Sequence, residues 1–112
     1  MRPYEGITIA NFQDWVERGW TRKVDSQSDE VRELAIMALG LCGEAGEVVE
    51  HIKKELRGDG PANQHEICKE LGDVLHYLCR IATEYNLSLD EIMLTNIEKI
   101  EARRGTRKWE TA

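Results

Sequence analysis

From Ser28 to Arg57 the chain carries an apolar residue at nearly every helical turn, with no proline to interrupt the run. At about 100° per residue, Leu34, Ala38, Leu41, Ala45, Val48, Ile52 and Leu56 fall on one stripe. So long a stripe is helical, and its apolar side needs cover from other helices. Ser28 is the expected N-cap, with Asp29 and Glu30 at the positive end of the helix dipole. Gly58-Asp59-Gly60-Pro61 is a strong breaker that ends it near Arg57.

The remaining segments extend the helical reading. Thr8 can cap a first helix carrying Ile9, Phe12, Trp15 and Val16, ending near Gly19-Trp20 and followed by a polar connector from Arg22 to Gln27. Asn63-Gln64-His65-Glu66 has the form of a capping box, opening a third helix that reaches about Tyr85. Asn86 can take the left-handed conformation that ends it. Ser88-Leu89-Asp90-Glu91 is a second capping box, opening a fourth helix to about Arg104. The tail from Gly105 to Ala112 is expected to be loosely held. With no strand-like alternation and no repeat, the expected fold class is all-α, a four-helix bundle-like single domain over residues 1–112. A chain of 112 residues supports only a modest core, so burial in an oligomer would help it.

Charge narrows the function. The formal net charge is -6, from 21 acidic and 15 basic residues, the wrong sign for general affinity to DNA or RNA. An acidic protein that handles phosphates needs metal ions or a local basic patch. The start of the chain, Met1 to Gly6, lacks the apolar region of a secretory signal, and no run approaches the roughly 18 apolar residues that span a bilayer. Three cysteines, Cys42, Cys68 and Cys79, are most simply read as reduced thiols, so the expected location is cytoplasmic and away from membranes.

The acidic residues are not evenly spread. Glu44 borders the long helix's apolar stripe and Glu47 lies one step further round. On the third helix the stripe is Ile67, Leu71, Val74, Leu78, Ala82 and Tyr85, with Glu70 at its border and Asp73 just beyond. The 22 residues between Glu47 and Glu70 suffice to end one helix, turn, and bring the next back to the same level. Packed antiparallel, the two helices would converge four carboxylates. Left unpaired in a partly buried cleft, these repel one another, lose hydration and protonate. A hard divalent cation such as Mg²⁺ or Mn²⁺ reverses this. The bland alternative is a set of solvated acids, since i, i+3 pairs are common in so acidic a chain.

Gly40, Gly43 and Gly46 interrupt the long helix beside the first pair, and Gly72 sits within the second, each at a cost of about 1 kcal/mol relative to Ala. They point either to close approach of another helix or to a ligand. On the fourth helix Asn96, Lys99 and Arg103 lie along one line beside Leu89, Met93, Ile97 and Ile100, while Lys53 and Lys54 follow the first acidic pair within two turns. Such a line is either a solvated face or a binding edge for polyphosphate oxygens.

These residues resemble the MazG-like members of the all-α nucleoside triphosphate pyrophosphohydrolase superfamily. The similarity runs through Leu39-Gly40-Leu41-Cys42-Gly43-Glu44-Ala45-Gly46-Glu47-Val48-Val49-Glu50, then Lys69-Glu70-Leu71-Gly72-Asp73-Val74-Leu75, then Asn96 to Arg104. The family's E-x-x-E and E-x-x-D are matched by Glu44, Glu47, Glu70 and Asp73. The resemblance implies metal-dependent hydrolysis of (deoxy)nucleoside triphosphates to monophosphate and pyrophosphate, in control or cleaning of the nucleotide pool. It implies Mg²⁺, with Mn²⁺ as substitute and two or more ions per site, on those four acids. Glu47 is expected also to orient or deprotonate the attacking water. Asn96, Lys99, Arg103 and Lys54 would meet the substrate, and a dimer, or a tetramer built from dimers, would complete the sites. Phosphoribosyl-ATP pyrophosphohydrolases share the acidic logic and remain an alternative, as does a non-catalytic helical oligomer that binds partners.

Trp15 and Trp20 are either core residues or stacking surfaces for a nucleobase, and they join the expected substrate-binding set in the second sense. His51, one turn past Glu47, either supports the metal ligands or is solvated. His65-x-x-Cys68 and His76-x-x-Cys79 look like a zinc pattern, yet the pairs stand 11 residues apart on one helix, about 16 Å along its axis. One tetrahedral zinc cannot span that distance.

Overall fold

A computed structural model describes residues 2–20 and 24–105. They form four helices in the order α1 (Ile9–Gly19), α2 (Gln27–Leu56), α3 (Gln64–Glu84) and α4 (Leu89–Arg104). The described residues contain no strand, so the fold is all-α as the periodicity requires. Part of the Arg22–Gln27 connector and all but Gly105 of the expected loose tail lie outside the described residues. No described helix is long and apolar enough to cross a membrane.

Three of the four expected caps are in place. Thr8 Oγ1 accepts from Asn11 N at 3.1 Å, Asn63 Oδ1 from Glu66 N at 3.1 Å, and Ser88 Oγ from Glu91 N at 3.1 Å. For α2 the cap is Ser26 rather than Ser28, its Oγ accepting from Asp29 N at 3.2 Å. The earlier start has a local cause. Asp29 Oδ2 accepts in turn from Asp25 N at 3.2 Å, a return bond that the Val31 side chain could not supply to a Ser28 cap.

The turns are equally specified by residue type. Gly58 and Gly60 carry φ of +96° and +103°, which side chains resist, so α2 stops where they stand. After α3, Asn86 takes φ 57°, Asn86 N donates to Thr83 O at 3.1 Å and Leu87 N to Ala82 O at 2.8 Å. That pair of bonds is the Schellman closure, and it turns the chain into α4.

The core sits where α1, α3 and the start of α4 meet. Val16, Cys79, Ala82 and Leu89 are buried there, with Ile9, Phe12 and Leu75 packed around them. Gln13 ties the three elements together: its Nε2 donates to Leu87 O at 2.8 Å and Thr83 Oγ1 at 3.1 Å, and its Oε1 accepts from Leu89 N at 3.0 Å.

Helices α2 and α3 form an antiparallel hairpin. Gly40 faces Tyr77 so closely that an added Cβ would lie 2.3 Å from the ring. Four residues further along α2 comes Glu44, and four back along α3 comes Asp73, its hydrogen-bonding neighbour. The two contacts therefore share one register, which also sets Glu47 level with Glu70. The seam differs from expectation in one respect. The buried residues of α2 are Glu33 and Met37, on the Gly40–Glu44 side, while of the apolar stripe only Leu41 and Val48 are even half-buried. Leu34, Ile52 and Leu56 stay exposed, as do Leu71, Leu78 and Tyr85 of α3. The cause is a shortage of partners, since the 11-residue α1 packs on α3 and the main partner of α4 is α1.

Candidate metal centre

One register step above the Gly40–Tyr77 contact, Glu44, Glu70 and Asp73 each offer a carboxylate oxygen, and these atoms lie within 4.8 Å of one another. Glu44 and Glu70 are half-buried and Asp73 is exposed. Burial raises the Glu44 carboxyl above its usual range, and the charges of Asp73 and Glu70, a hydrogen bond with Asp73 and the charge of Glu47 push the same way. Three carboxylates this close, with the pKa of Glu44 raised by burial and by its neighbours, are short of positive charge. Their oxygens are hard donors, so the set fits a divalent cation of the Mg²⁺ type.

Glu47 stands apart from this trio. It is exposed, it is not among the three whose oxygens converge, and it remains near enough to act on Glu44. Among the described residues this trio is the one such group, so neither His-x-x-Cys pair is assembled with a third ligand. Cys79 is fully buried in the core, where burial raises its thiol pKa.

Beside the carboxylates lies a recess of about 250 Å³ lined by Trp20, Glu44, Asp73, His76 and Tyr77. Its aromatic wall belongs to a longer belt. Phe12 stacks on Trp15 at 5.9 Å, Trp15 meets His76 edge-on at 6.1 Å, His76 meets Tyr77 at 6.3 Å, and Tyr77 meets Trp20 edge-on at 6.2 Å. The two tryptophans thus separate. Trp20 lines the acidic recess, whereas Trp15, 45% exposed, lines a neighbouring hollow with Pro3, Tyr4 and Arg18.

The expected basic partners are elsewhere in the described chain. Asn96, Lys99 and Arg103 are exposed on α4, Lys54 is exposed in the last turn of α2, and none of them lines the recess. His51 is half-buried one turn beyond Glu47 and likewise outside it. The glycines divide too: Gly40 admits Tyr77, whereas Gly43, Gly46 and Gly72 meet nothing within 4 Å. Close helix approach within the chain therefore explains the first glycine and not the other three.

Tyr77, Glu33 and Arg80 escaped the sequence reading, and His76 entered it only through the His-x-x-Cys pattern, not as a wall of the recess. A usable signal was there. Glu33, Met37, Gly40 and Glu44 share one helical face of α2, and Asp73, Tyr77 and Arg80 share one of α3.

A family model described as the MazG nucleotide pyrophosphohydrolase domain matches residues 30–107, from the first turns of α2 to beyond α4. The match includes all four acidic residues and leaves Trp15 and Trp20 outside. The "Gene 37 protein" of Mycobacterium phage L5 is 34% identical over 80 residues, which cover 68% of this chain and 70% of that protein. No solved structure matches the chain.

Proposed function

The chain belongs to the family of MazG nucleotide pyrophosphohydrolase domains, and from that premise we propose that it hydrolyses (deoxy)nucleoside triphosphates to monophosphate and pyrophosphate. One observation carries the reading: carboxylate oxygens of Glu44, Glu70 and Asp73, from two facing helices, lie within 4.8 Å of one another beside an aromatic recess. With Glu47 they are the ligands we assign to Mg²⁺, Mn²⁺ being a substitute and two or more ions the expected load. A metal held there would supply positive charge against the triphosphate and Lewis acidity for the attacking water.

The chain's own groups divide the remaining work. The carboxylate of Glu47, exposed and beside the trio, takes the proton from the water whose oxygen attacks the α-phosphorus. The α–β P–O bond breaks, and pyrophosphate leaves with its electrons. Trp20 and Tyr77, on the wall of the recess, hold the base by stacking, with Trp15 as an outer neighbour through His76. Asn96, Lys99, Arg103 and Lys54 bind the phosphates. Because these four face solvent away from the recess, a second copy is the proposed source of the α4 line, in a dimer or a pair of dimers. The exposed Met93 and Ile97 beside that line, and the mostly exposed stripe of α2, supply apolar surface for such assembly.

The test is pyrophosphate release from a panel of ribo- and deoxyribonucleoside triphosphates with Mg²⁺, phosphoribosyl-ATP included. Metal-dependent release from at least one nucleoside triphosphate is expected. Release from none would leave a binding protein, and release from phosphoribosyl-ATP alone would move the chain to the histidine-synthesis type of reaction.

A further inference from the structure

Two buried charged side chains, one on each helix of the hairpin, close around Trp20. Glu33 of α2 is 7% exposed, and its Oε2 accepts from the indole Nε1 at 3.0 Å. Arg80 of α3 is 9% exposed, and its guanidinium lies 5.2 Å from the centroid of the same ring. Arg80 is held in its turn by Glu84 at 3.0 Å and Glu17 at 3.4 Å. Tyr77 completes the grip with its ring edge.

Such an arrangement is a poor device for stability alone. Buried ionic groups are often replaceable by apolar residues without loss, and the Arg80 Nε is buried here with no hydrogen-bond partner. What the arrangement does is hold a side chain that follows the end of α1 in one orientation against the recess.

We propose that Glu33 and Arg80 are positioning residues that hold the Trp20 indole as a fixed, base-tolerant stacking wall of the recess. The inference rests on the nucleotide reading above and deepens it. An indole already immobilised loses no rotamer freedom on binding, so the substrate binds more tightly. The ring has one polar hydrogen, and Glu33 takes it. Trp20 can therefore offer a nucleotide only its π surface, which every base can use. Base discrimination must come from other residues.

The experiment measures KM and kcat for several nucleotides in the wild type, Glu33→Ala, Glu33→Gln, Arg80→Lys, Trp20→Phe and the Trp20→Phe/Glu33→Ala double variant. Glu33→Ala should raise KM about three- to tenfold, by a similar factor for every base, with kcat within about twofold. Glu33→Gln, whose amide oxygen still accepts from the indole, should restore the wild-type KM. Trp20→Phe should raise KM as well, and adding Glu33→Ala to it should change nothing further. Should Glu33→Ala not fold, Arg80→Lys carries the test, since it keeps the charge, removes the guanidinium from over the ring and should raise KM alone. An unchanged KM in an active enzyme, equal damage from Ala and Gln at position 33, or additive losses in the double variant overturns the positioning role and leaves the reaction standing. A wild type that hydrolyses no nucleotide overturns both.

Discussion

Helix α3 has two sides with opposite chemistry. Towards α1 and α4 it buries Cys79 and Ala82 among Val16 and Leu89, an apolar cluster with the Arg80–Glu17 ion pair beyond it. Towards α2 it presents Asp73 and Tyr77, with Glu70 beside them, to Glu44 and the bare backbone of Gly40. The first side gains from burial in the ordinary way. The second gathers like charges that oppose folding until a cation joins them. On the proposed function, stability and chemistry lie on different faces of one helix, and substitutions should separate them.

The largest separation is expected in the seam. Glu44→Gln or Asp73→Asn should lower pyrophosphate release at least about a hundredfold while leaving the helical content unchanged by circular dichroism. On the other side, Leu89→Ala should cost about 2–4 kcal/mol of stability by chemical denaturation, with activity retained at temperatures where the chain stays folded. Equal effects on stability and activity from both changes would break the comparison.

The glycines sharpen it. Gly40→Ala would drive a methyl group against the Tyr77 ring, so either helix or ring must shift, at a cost of about 1–3 kcal/mol. Gly43→Ala, Gly46→Ala and Gly72→Ala meet open space, and each should gain up to about 1 kcal/mol from helix propensity in the isolated chain. Thermal melts of dilute protein read all four. Loss of activity or of assembly in the three open-space variants would show that a ligand or a second copy covers that face.

The smallest effect is a pH dependence whose sign follows from Glu44. Its carboxyl pKa is raised in the folded chain, so between 4.5 and that raised value the folded state binds the proton that the unfolded state has released. The metal-free chain therefore loses this contribution as pH rises through the window. Glu44→Gln should melt higher than the wild type near neutral pH, and the two should converge below pH 4.5. Saturating Mg²⁺ should raise the wild-type midpoint and leave that of Glu44→Gln nearly unchanged.

Most helix ends were legible because capping is local: Thr8, Asn63, Ser88 and Asn86 each act within a few residues. Ser26 was missed because the choice between two serines turned on a return bond from Asp29. Of the four carboxylates read from the spacing, Glu44, Glu70 and Asp73 converge where the two helices run antiparallel, and Glu47 lies outside the group. Glu33 and Arg80 were not legible. Charged residues on helices read as solvated, and what buries these two is an indole that reaches them from outside their own helices. The apolar stripe of α2 misled in the other direction, for periodicity says which side wants cover but not whether one chain supplies it.

The most direct test of the central claim is a titration of the metal-free protein with Mn²⁺, followed calorimetrically. Saturable binding by the wild type, lost in both Glu44→Gln and Asp73→Asn and retained in Leu89→Ala, is the predicted result. Binding of equal strength in all four proteins would contradict the assignment of Glu44, Glu70 and Asp73 as a metal centre.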